Sequence, residues 1–208
     1  MLSDPQLQAR IHDGSQRLAG PVLESLLQPG RGQVFTGSFA VKPVGPASYL
    51  GPHQDVSIVD ETETGSINFW IPLVQSRPEN GALTFVAGSH RFGNVHRSLA
   101  LPWAFEGLHE SMERHAQMLT AEAGDLILFD TAMIHGSQAN LTAAPRVALQ
   151  GVLVPAGLEM EHLSISPDTP AGMVEVCNTS PLDLLIGDGV EVSTGATRVL
   201  RPLAATTP

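Results

Sequence analysis

The sequence predicts a mainly β protein, a double-stranded β-helix of the jelly-roll or cupin-like type with flanking helices. Short apolar segments bounded by turns recur along most of the chain, and helical periodicity is confined to residues 3–28 and 103–116. The 20 glycines and 16 prolines favour many turns and short strands over a helical bundle. About eight short strands with helices only at the edges are typical of a double-sheet β fold.

Residues 1–32 are predicted to form a helical N-terminal segment. Ser3-Asp4-Pro5 is a suitable helix start with proline in the first turn, and the glycine- and proline-containing residues 29–32 end the helix. Apolar side chains recur through residues 3–28 as an interrupted stripe of Leu7, Ile11, Leu18, Val22, Leu26 and Leu27. We therefore expect one amphipathic helix ahead of the strands.

Residues 33–154 are predicted to form the jelly-roll core. Asn80-Gly81 is a strong turn signal ahead of one of its strands. The segment at 67–74 is largely apolar, which indicates a strand buried on both faces. The predicted strands cover residues 34–42, 53–59, 67–74, 82–87, 118–121, 126–129 and 146–154, and a polar helix is expected at 103–116.

Residues 155–208 are predicted to be a C-terminal extension that packs on the core. They are too few to hold a core of their own, so we expect a single domain over residues 1–208. Strands are expected at 173–177 and 190–192, a helical turn at 181–186 and a loop at 159–162.

Charge and composition exclude several classes of partner. The formal net charge is −10, with 21 acidic against 11 basic residues, whereas nucleic acids and anionic membranes are bound by clustered Lys and Arg. No apolar run reaches the length of a membrane span, and the N-terminus lacks the pattern of a signal peptide. Cys177 is the only cysteine, which fits a reducing compartment and a packing role. We expect a cytoplasmic protein with no nucleic-acid or membrane partner.

His53-Gln54-Asp55 is a candidate pair of metal ligands. On a strand, residues two apart point to the same face, so this imidazole and this carboxylate would converge on one point. His135 lies 80 residues beyond Asp55 and is the best candidate for a third ligand. Two histidines and one carboxylate with open positions left over are typical of a non-haem Fe(II) oxygenase.

An ordered series of motifs over residues 36–154 resembles the phytanoyl-CoA dioxygenase family of Fe(II)/2-oxoglutarate oxygenases. Any single motif is weak evidence, but the whole set occurs in the family's order with fitting gaps. The motifs are His53-Gln54-Asp55, Asn68-Phe69-Trp70-Ile71-Pro72-Leu73, Asn80-Gly81-Ala82-Leu83, Gly88-Ser89-His90-Arg91, Gly124-Asp125-Leu126-Ile127-Leu128-Phe129-Asp130, His135-Gly136-Ser137 and Pro145-Arg146.

The resemblance implies roles for six residues, and it implies Fe(II), 2-oxoglutarate and O2 as cofactor and co-substrates. His53, Asp55 and His135 match the iron ligands. Arg146, eleven residues after His135, matches the arginine that pairs with the distal carboxylate of 2-oxoglutarate. Ser137 matches a hydroxyl contact to that carboxylate, and Trp70 matches an aromatic wall of the pocket.

The strand that begins at Arg146 is suited to hold a co-substrate. A guanidinium can grip a carboxylate through two parallel charge-assisted hydrogen bonds. Alternation along the strand would also place Ala148 and Gln150 on the interior face, and the small Ala148 would leave room for the co-substrate.

The resemblance further implies hydroxylation of a small organic molecule, plausibly in secondary metabolism, with release of succinate and CO2. Related halogenases replace the carboxylate ligand by glycine or alanine, so Asp55 favours hydroxylation. Two alternatives remain open: a cupin-like metal enzyme that does not use 2-oxoglutarate, and a non-catalytic binding protein with a retained site.

The beginning of the chain departs from the family pattern. Members usually open with a strand and then a helix, whereas this chain opens directly on helix-like residues. One edge of the barrel is therefore expected to stay open or to be closed by a partner chain, and a homodimer is one such arrangement.

Overall fold

The computed structural model describes residues 5–26, 32–93, 96–179 and 198–202. Among these residues, a long first helix precedes four strands, and a short second helix then precedes seven further strands. The helices are α1 (Pro5–Leu26) and α2 (His109–His115). The strands are β1 (Gly32–Lys42), β2 (Leu50–His53), β3 (Ile67–Pro72), β4 (Leu83–Val86), β5 (Ala116–Leu119), β6 (Ile127–Asp130), β7 (His135–Ser137), β8 (Arg146–Pro155), β9 (Met160–Ser164), β10 (Met173–Thr179) and β11 (Arg198–Pro202).

The first eight strands form two four-stranded sheets. The first sheet has the order β1-β8-β3-β6 and the second has the order β2-β7-β4-β5, and every pairing is antiparallel. Because the chain repeatedly crosses from one sheet to the other, the eight strands make a double-stranded β-helix. The predicted fold class is confirmed. In the described part of the chain, β1 lies at the edge of its sheet without a strand on its outer side.

Helix α1 packs on the face of the first sheet that points away from the second sheet. Leu23 is 2% exposed and belongs to an apolar cluster with Phe69 of β3 and Leu149 of β8. Burying a leucine of this kind is worth about 2 kcal/mol. Gly37 allows the close approach, because a Cβ there would lie 2.0 Å from the Oγ of Ser15. The helix predicted at 3–28 is confirmed over Pro5–Leu26.

The predicted strand at 53–59 is wrong beyond its first residue. Strand β2 ends at His53, and the chain continues as a loop. This loop pairs with neither of the two four-stranded sheets: the Ser57 N–H donates to Arg97 O at 2.8 Å, and the Arg97 N–H donates to Ser57 Oγ at 3.1 Å. We refer to residues 54–61 as the Asp55 loop.

The helix predicted at 103–116 is shorter than expected. Two turns close where Glu106 N–H donates to Trp103 O and Leu108 N–H donates to Phe105 O, and α2 begins only at His109. Gly107 separates the two segments with φ of 89°, a left-handed conformation that glycine adopts without strain and that an α-helix excludes.

The C-terminal strands β9, β10 and β11 form a separate three-stranded antiparallel sheet. Its Leu163, Val174 and Val176 are buried together and pack against Leu101. The strand predicted at 173–177 is confirmed and longer, whereas the loop expected at 159–162 is wrong, because most of it belongs to β9. The elements expected at 181–186 and 190–192 lie outside the described residues.

No helix in the described ranges is both long enough and apolar enough to span a membrane. The side chain of Cys177, on β10, is 1% exposed, in agreement with its expected packing role.

Candidate metal centre

The three sequence-predicted ligands converge at one end of the second sheet. His53 ends β2 and lies opposite His135, the first residue of β7, and Asp55 follows in the Asp55 loop. One Asp55 carboxylate oxygen lies 3.9 Å from His53 Nε2, and the other lies 3.7 Å from His135 Nε2. The ligand atoms of all three residues lie within 4.8 Å of one another, which suits a single metal ion.

Both imidazoles are oriented by backbone carbonyls. The Nδ1 of His53 lies 2.9 Å from Gly51 O, and the Nδ1 of His135 lies 2.9 Å from Met133 O. A carbonyl oxygen can only accept, so each Nδ1 carries the proton and each Nε2 keeps a free lone pair facing Asp55. This is the outer hydrogen bonding that metal-binding histidines use to set their tautomer.

The site is half-open to a cavity. The side chains of His53 and Asp55 are 32% and 39% exposed, whereas that of His135 is 9% exposed. Burial lowers the pKa of His135 below its usual value, although the nearby Asp55 carboxylate opposes the shift. The neutral imidazole, which is the form that binds metals, is therefore favoured.

Asp55 is held from two sides. The Asn68 side chain on β3 donates from Nδ2 to a carboxylate oxygen of Asp55 at 2.5 Å. Arg97 donates from Nε to the backbone carbonyl of Asp55 at 2.7 Å. Two different elements thus fix the side chain and the backbone of the only carboxylate in the cluster.

Arg97 is itself held by a buried ion pair with Glu61. Its Nη1 and Nη2 donate to the two carboxylate oxygens at 2.6 and 2.7 Å, and the two side chains are 3% and 6% exposed. Thr131 donates from Oγ1 to Glu61 at 3.2 Å, and its hydroxyl also lies 2.8 Å from that of Ser66. This network clamps both ends of the Asp55 loop.

A second group of predicted residues lies around the buried guanidinium of Arg146, the first residue of β8. Arg146 is 3% exposed, and its guanidinium carbon lies 4.9 Å from the ring centre of Trp70. Its Nε and Nη1 have no hydrogen-bond partner among the described residues. An unmatched buried cation is costly, so this arrangement suits an anionic ligand.

Lys42 adds positive charge behind Arg146. It lies opposite Arg146 in the pairing of β1 with β8, and its Nζ donates to Ser48 O. Burial, together with the charge of Arg146, lowers the pKa of Lys42 to about 8. Burial also lowers the pKa of Arg146 to about 10, so its guanidinium remains charged at neutral pH.

All six sequence-predicted site residues line one cavity of about 780 Å³. These are His53, Asp55, Trp70, His135, Ser137 and Arg146. Gln150 also lines the cavity, and the small Ala148 next to it is fully buried, as the alternation along β8 predicts. Gln54 is turned away from the cavity and donates to Ala132 O at 2.6 Å.

Sequence patterns do not indicate the support around Asp55 or the contribution of β9. Glu61 lies in an acidic segment that reads as an ordinary polar loop, and Arg97 follows 36 residues later without a spacing pattern that links them. His162 of β9 lines the cavity although its segment was expected to be a loop. No sequence signal identified either feature.

Helix α1 and most of the jelly-roll core match a known protein family. The sequence profile of the family described as Phytanoyl-CoA dioxygenase (PhyH) matches residues 5–148. A phytanoyl-CoA dioxygenase of Arabidopsis thaliana is 31% identical over 129 residues, which are 61% of this chain and 46% of that protein. Phytanoyl-CoA dioxygenase domain-containing protein 1 of Danio rerio is 25% identical over 121 residues, which are 54% of this chain and 42% of that protein. The chain thus spans less than half the length of these curated relatives.

Solved structures share the fold. One is the epimerase SnoN in complex with Fe3+, alpha ketoglutarate and nogalamycin RO, with a TM-score of 0.60 and 20% identity, covering 92% of this chain and 73% of that one. Another is the non-heme monooxygenase ThoJ in its apo form, with a TM-score of 0.52 and 21% identity, covering 67% of this chain and 52% of that one. The likeness to both is one of fold. Because the family profile covers more than half of its length, the chain belongs to the phytanoyl-CoA dioxygenase family.

Proposed function

We propose that this protein is an Fe(II)- and 2-oxoglutarate-dependent dioxygenase that hydroxylates a small organic molecule. The reaction converts the substrate, O2 and 2-oxoglutarate into hydroxylated substrate, succinate and CO2. One observation carries the proposal: the cavity that holds the His53, Asp55 and His135 cluster also holds the buried Arg146, whose Nε and Nη1 lack a partner among the described residues.

The donor set fits the proposed metal. Two imidazole nitrogens and one carboxylate suit Fe(II) and leave positions open for other ligands. Fe(II), when bound, would supply the activation of O2. The chain would contribute the two fixed Nε2 lone pairs and the Asp55 carboxylate, which Asn68 holds in place.

The other end of the cavity fits a dicarboxylate. Arg146 would bind the distal carboxylate of 2-oxoglutarate through its unpartnered N–H groups, and the hydroxyl of Ser137 would donate to the same carboxylate. Trp70 holds the guanidinium on one side and forms a wall of the pocket. Because these groups are buried, a bound carboxylate would be shielded from competing water.

Family membership and the structural neighbours support this function. SnoN is described with Fe3+, alpha ketoglutarate and a natural product bound, which supports a small organic substrate and a role in secondary metabolism. Asp55 supports hydroxylation, since a carboxylate occupies the place that a halide would need. The same neighbour is described as an epimerase, so product identification is part of the test.

The test is turnover of 2-oxoglutarate. Purified protein with Fe(II), 2-oxoglutarate and O2 is expected to release succinate, slowly without substrate and faster with one, and the product is identified by mass spectrometry. His135→Ala is expected to abolish tight Fe(II) binding and succinate release together. A wild-type protein that binds the metal and never consumes 2-oxoglutarate would favour the cupin-like alternative. A His135→Ala protein that binds Fe(II) as the wild type does would favour the non-catalytic one.

A further inference from the structure

The cavity extends far beyond the end that Arg146 occupies. Arg146 and Val152 both line it, and they lie six residues apart on β8, which is about 20 Å at the usual rise of a strand. The five-carbon chain of 2-oxoglutarate fills only the Arg146 end of a cavity of about 780 Å³. The remainder, toward Val152 and β9, is available to the substrate.

The far end is bounded by what we call the distal wall. It comprises Val56 and Ile58 of the Asp55 loop, Leu99, Val152 of β8 and His162 of β9. Four of these five side chains are aliphatic. The fifth, His162, has a pKa that burial lowers below its usual value, so it is a neutral hydrogen-bonding group at pH 7.

The distal wall offers no charge to a substrate. The ionisable residues that line the cavity, among those the structure describes, are His53, Asp55, Arg97, His135, Arg146 and His162. The proposed function uses three for the metal and Arg146 for the co-substrate, and Arg97 is paired with Glu61. A phosphate would therefore meet no additional cation, and an ammonium group would meet no additional carboxylate.

The contribution of β9 to this wall is firmly anchored. The Glu161 N–H donates to Ile58 O at 2.9 Å, and the hydroxyl of Ser98 donates to Leu163 O at 2.5 Å. Arg201 of β11 pairs with Glu161 at 2.8 Å and with Asp60 of the Asp55 loop at 3.0 Å. Alternation along β9 thus directs Glu161 to Arg201 and His162 to the cavity.

We propose that the distal wall is the substrate-recognition surface and that it selects a neutral molecule with an apolar ring or branched-alkyl body and a polar group that meets His162. The proposal rests on the proposed function, which assigns the Arg146 end to the co-substrate. Strand β9 begins twelve residues beyond the part of the chain that the family profile matches. The polar group of the wall, His162, would accordingly come from a segment outside the residues that the profile matches.

The test is dye binding to protein loaded with Ni(II) and 2-oxoglutarate, which cannot turn over. The neutral naphthalene dye Prodan and a trimethylammonium derivative of it serve as probes, followed by their fluorescence. Wild type is expected to bind Prodan more tightly than the cationic dye. His162→Glu is expected to weaken Prodan binding about tenfold and to favour the cationic dye, because a carboxylate then lies in the apolar wall. Leu99→Glu, which adds a carboxylate at the mouth of the cavity, is expected to strengthen binding of the cationic dye relative to Prodan.

Leu99 is 98% exposed, so its substitution leaves folding unaffected while it changes the cavity mouth. The matched control is Leu200→Glu, an exposed position of the same C-terminal sheet that does not line the cavity, and it is expected to bind Prodan as wild type does. Absent Prodan binding, equal Prodan binding by all variants, or tighter wild-type binding of the cationic dye would overturn the proposal. Calorimetric titration of 2-oxoglutarate is a separate readout: its failure in wild type would overturn the proposed function, and its persistence in His162→Glu separates the two ends of the cavity.

Discussion

Arg146 is the residue that gives the cavity its electrostatic character. The chain carries a formal charge of −10, yet this end of the cavity is positive, because Arg146 and Lys42 lie opposite each other on paired strands. No acidic side chain pairs with Arg146 among the described residues. The Trp70 ring lies 4.9 Å from the Arg146 guanidinium and makes a favourable cation–π contact with it when no ligand is bound.

Arg146→Ala is expected to weaken 2-oxoglutarate binding without affecting the metal. The change removes a buried charge-assisted pair worth about 2–5 kcal/mol, which corresponds to roughly a 30-fold to several-thousand-fold rise in Kd. Calorimetric titration of 2-oxoglutarate into Ni(II)-loaded protein measures it. The control is Arg114→Ala, an arginine that is 61% exposed and pairs with Glu110 on α2. Equal 2-oxoglutarate affinity in the two variants would contradict the assignment.

Sequence reasoning found the residues that carry chemistry and missed those that support them. His53, Asp55 and His135 are recognisable because a metal restricts residue type and spacing. Glu61 and Arg97 are ordinary charged residues whose pairing depends on how two loops meet, which no periodicity encodes. The metal ligands can be recognised from residue type and spacing, whereas the pair of Glu61 and Arg97 can be recognised only from the tertiary structure.

At the scale of elements, the Asp55 loop determines the geometry of the cluster. Its backbone is bonded to the segment around Arg97 and, at Ile58, to β9, and it is not paired in either four-stranded sheet, so the alternation expected for residues 53–59 does not place Asp55. The carboxylate reaches the histidines because the buried pair between Arg97 and Glu61 fixes the path of the loop. A sequence pattern typical of a strand therefore led to the correct residues through an incorrect local structure.

Glu61→Gln is expected to lower both stability and metal affinity. Removing one partner of a buried ion pair leaves Arg97 uncompensated and typically costs about 3–5 kcal/mol. Because Arg97 also donates to the backbone of Asp55, the carboxylate ligand should lose its fixed position. Urea unfolding measures the first effect, and Ni(II) titration of the folded protein measures the second.

The matched control for Glu61→Gln is Glu110→Gln. Glu110 is 87% exposed and pairs with Arg114 one helical turn away, so its loss is expected to change the free energy of unfolding by about 0.5 kcal/mol or less. If Glu61→Gln destabilises the protein while Ni(II) binds as in wild type, the clamp is a stability feature and does not position Asp55.

Strand β7 shows why some elements escape prediction. It consists of His135, Gly136 and Ser137, none of which favours a strand. Gly136 is required by close contact, since a Cβ there would lie 2.7 Å from the carbonyl oxygen of Leu50 in β2. The strand forms because it lies between β2 and β4 in the second sheet. Apolar strands such as β3 and β8, in contrast, were predictable from their composition.

At the scale of the whole molecule, the cavity is bounded by all three sheets. Arg146 and Trp70 come from the first sheet, His53 and His135 from the second, and His162 from the C-terminal sheet. The overall architecture was predictable from many short strands. The role of β9 as a wall of the cavity was not predictable, because its residues Met160–Ser164 carry no motif and no regular alternation of polar and apolar residues.

The free energy of unfolding is expected to depend on pH through the lowered pKa of the buried Lys42. The folded pKa of about 8 lies below the usual 10.5, so between these values the unfolded chain binds more protons than the folded protein. This group therefore opposes folding fully below pH 8, and its penalty disappears as the pH rises toward 10.5. Since Lys42 is the only lysine of the chain, selective 13C-lysine labelling gives a single resonance whose titration measures the pKa directly.

Lys42→Met separates this contribution from those of all other titrating groups. The variant lacks the penalty at every pH, so its stability relative to wild type is expected to be more favourable at pH 7 than at pH 9.5, as measured by urea unfolding. In the NMR titration, Arg146→Ala should raise the pKa of Lys42 toward 10.5, because it removes the neighbouring charge, while burial keeps it below that value. A stability difference that is the same at both pH values would show that the Lys42 ammonium is as well accommodated in the fold as in water.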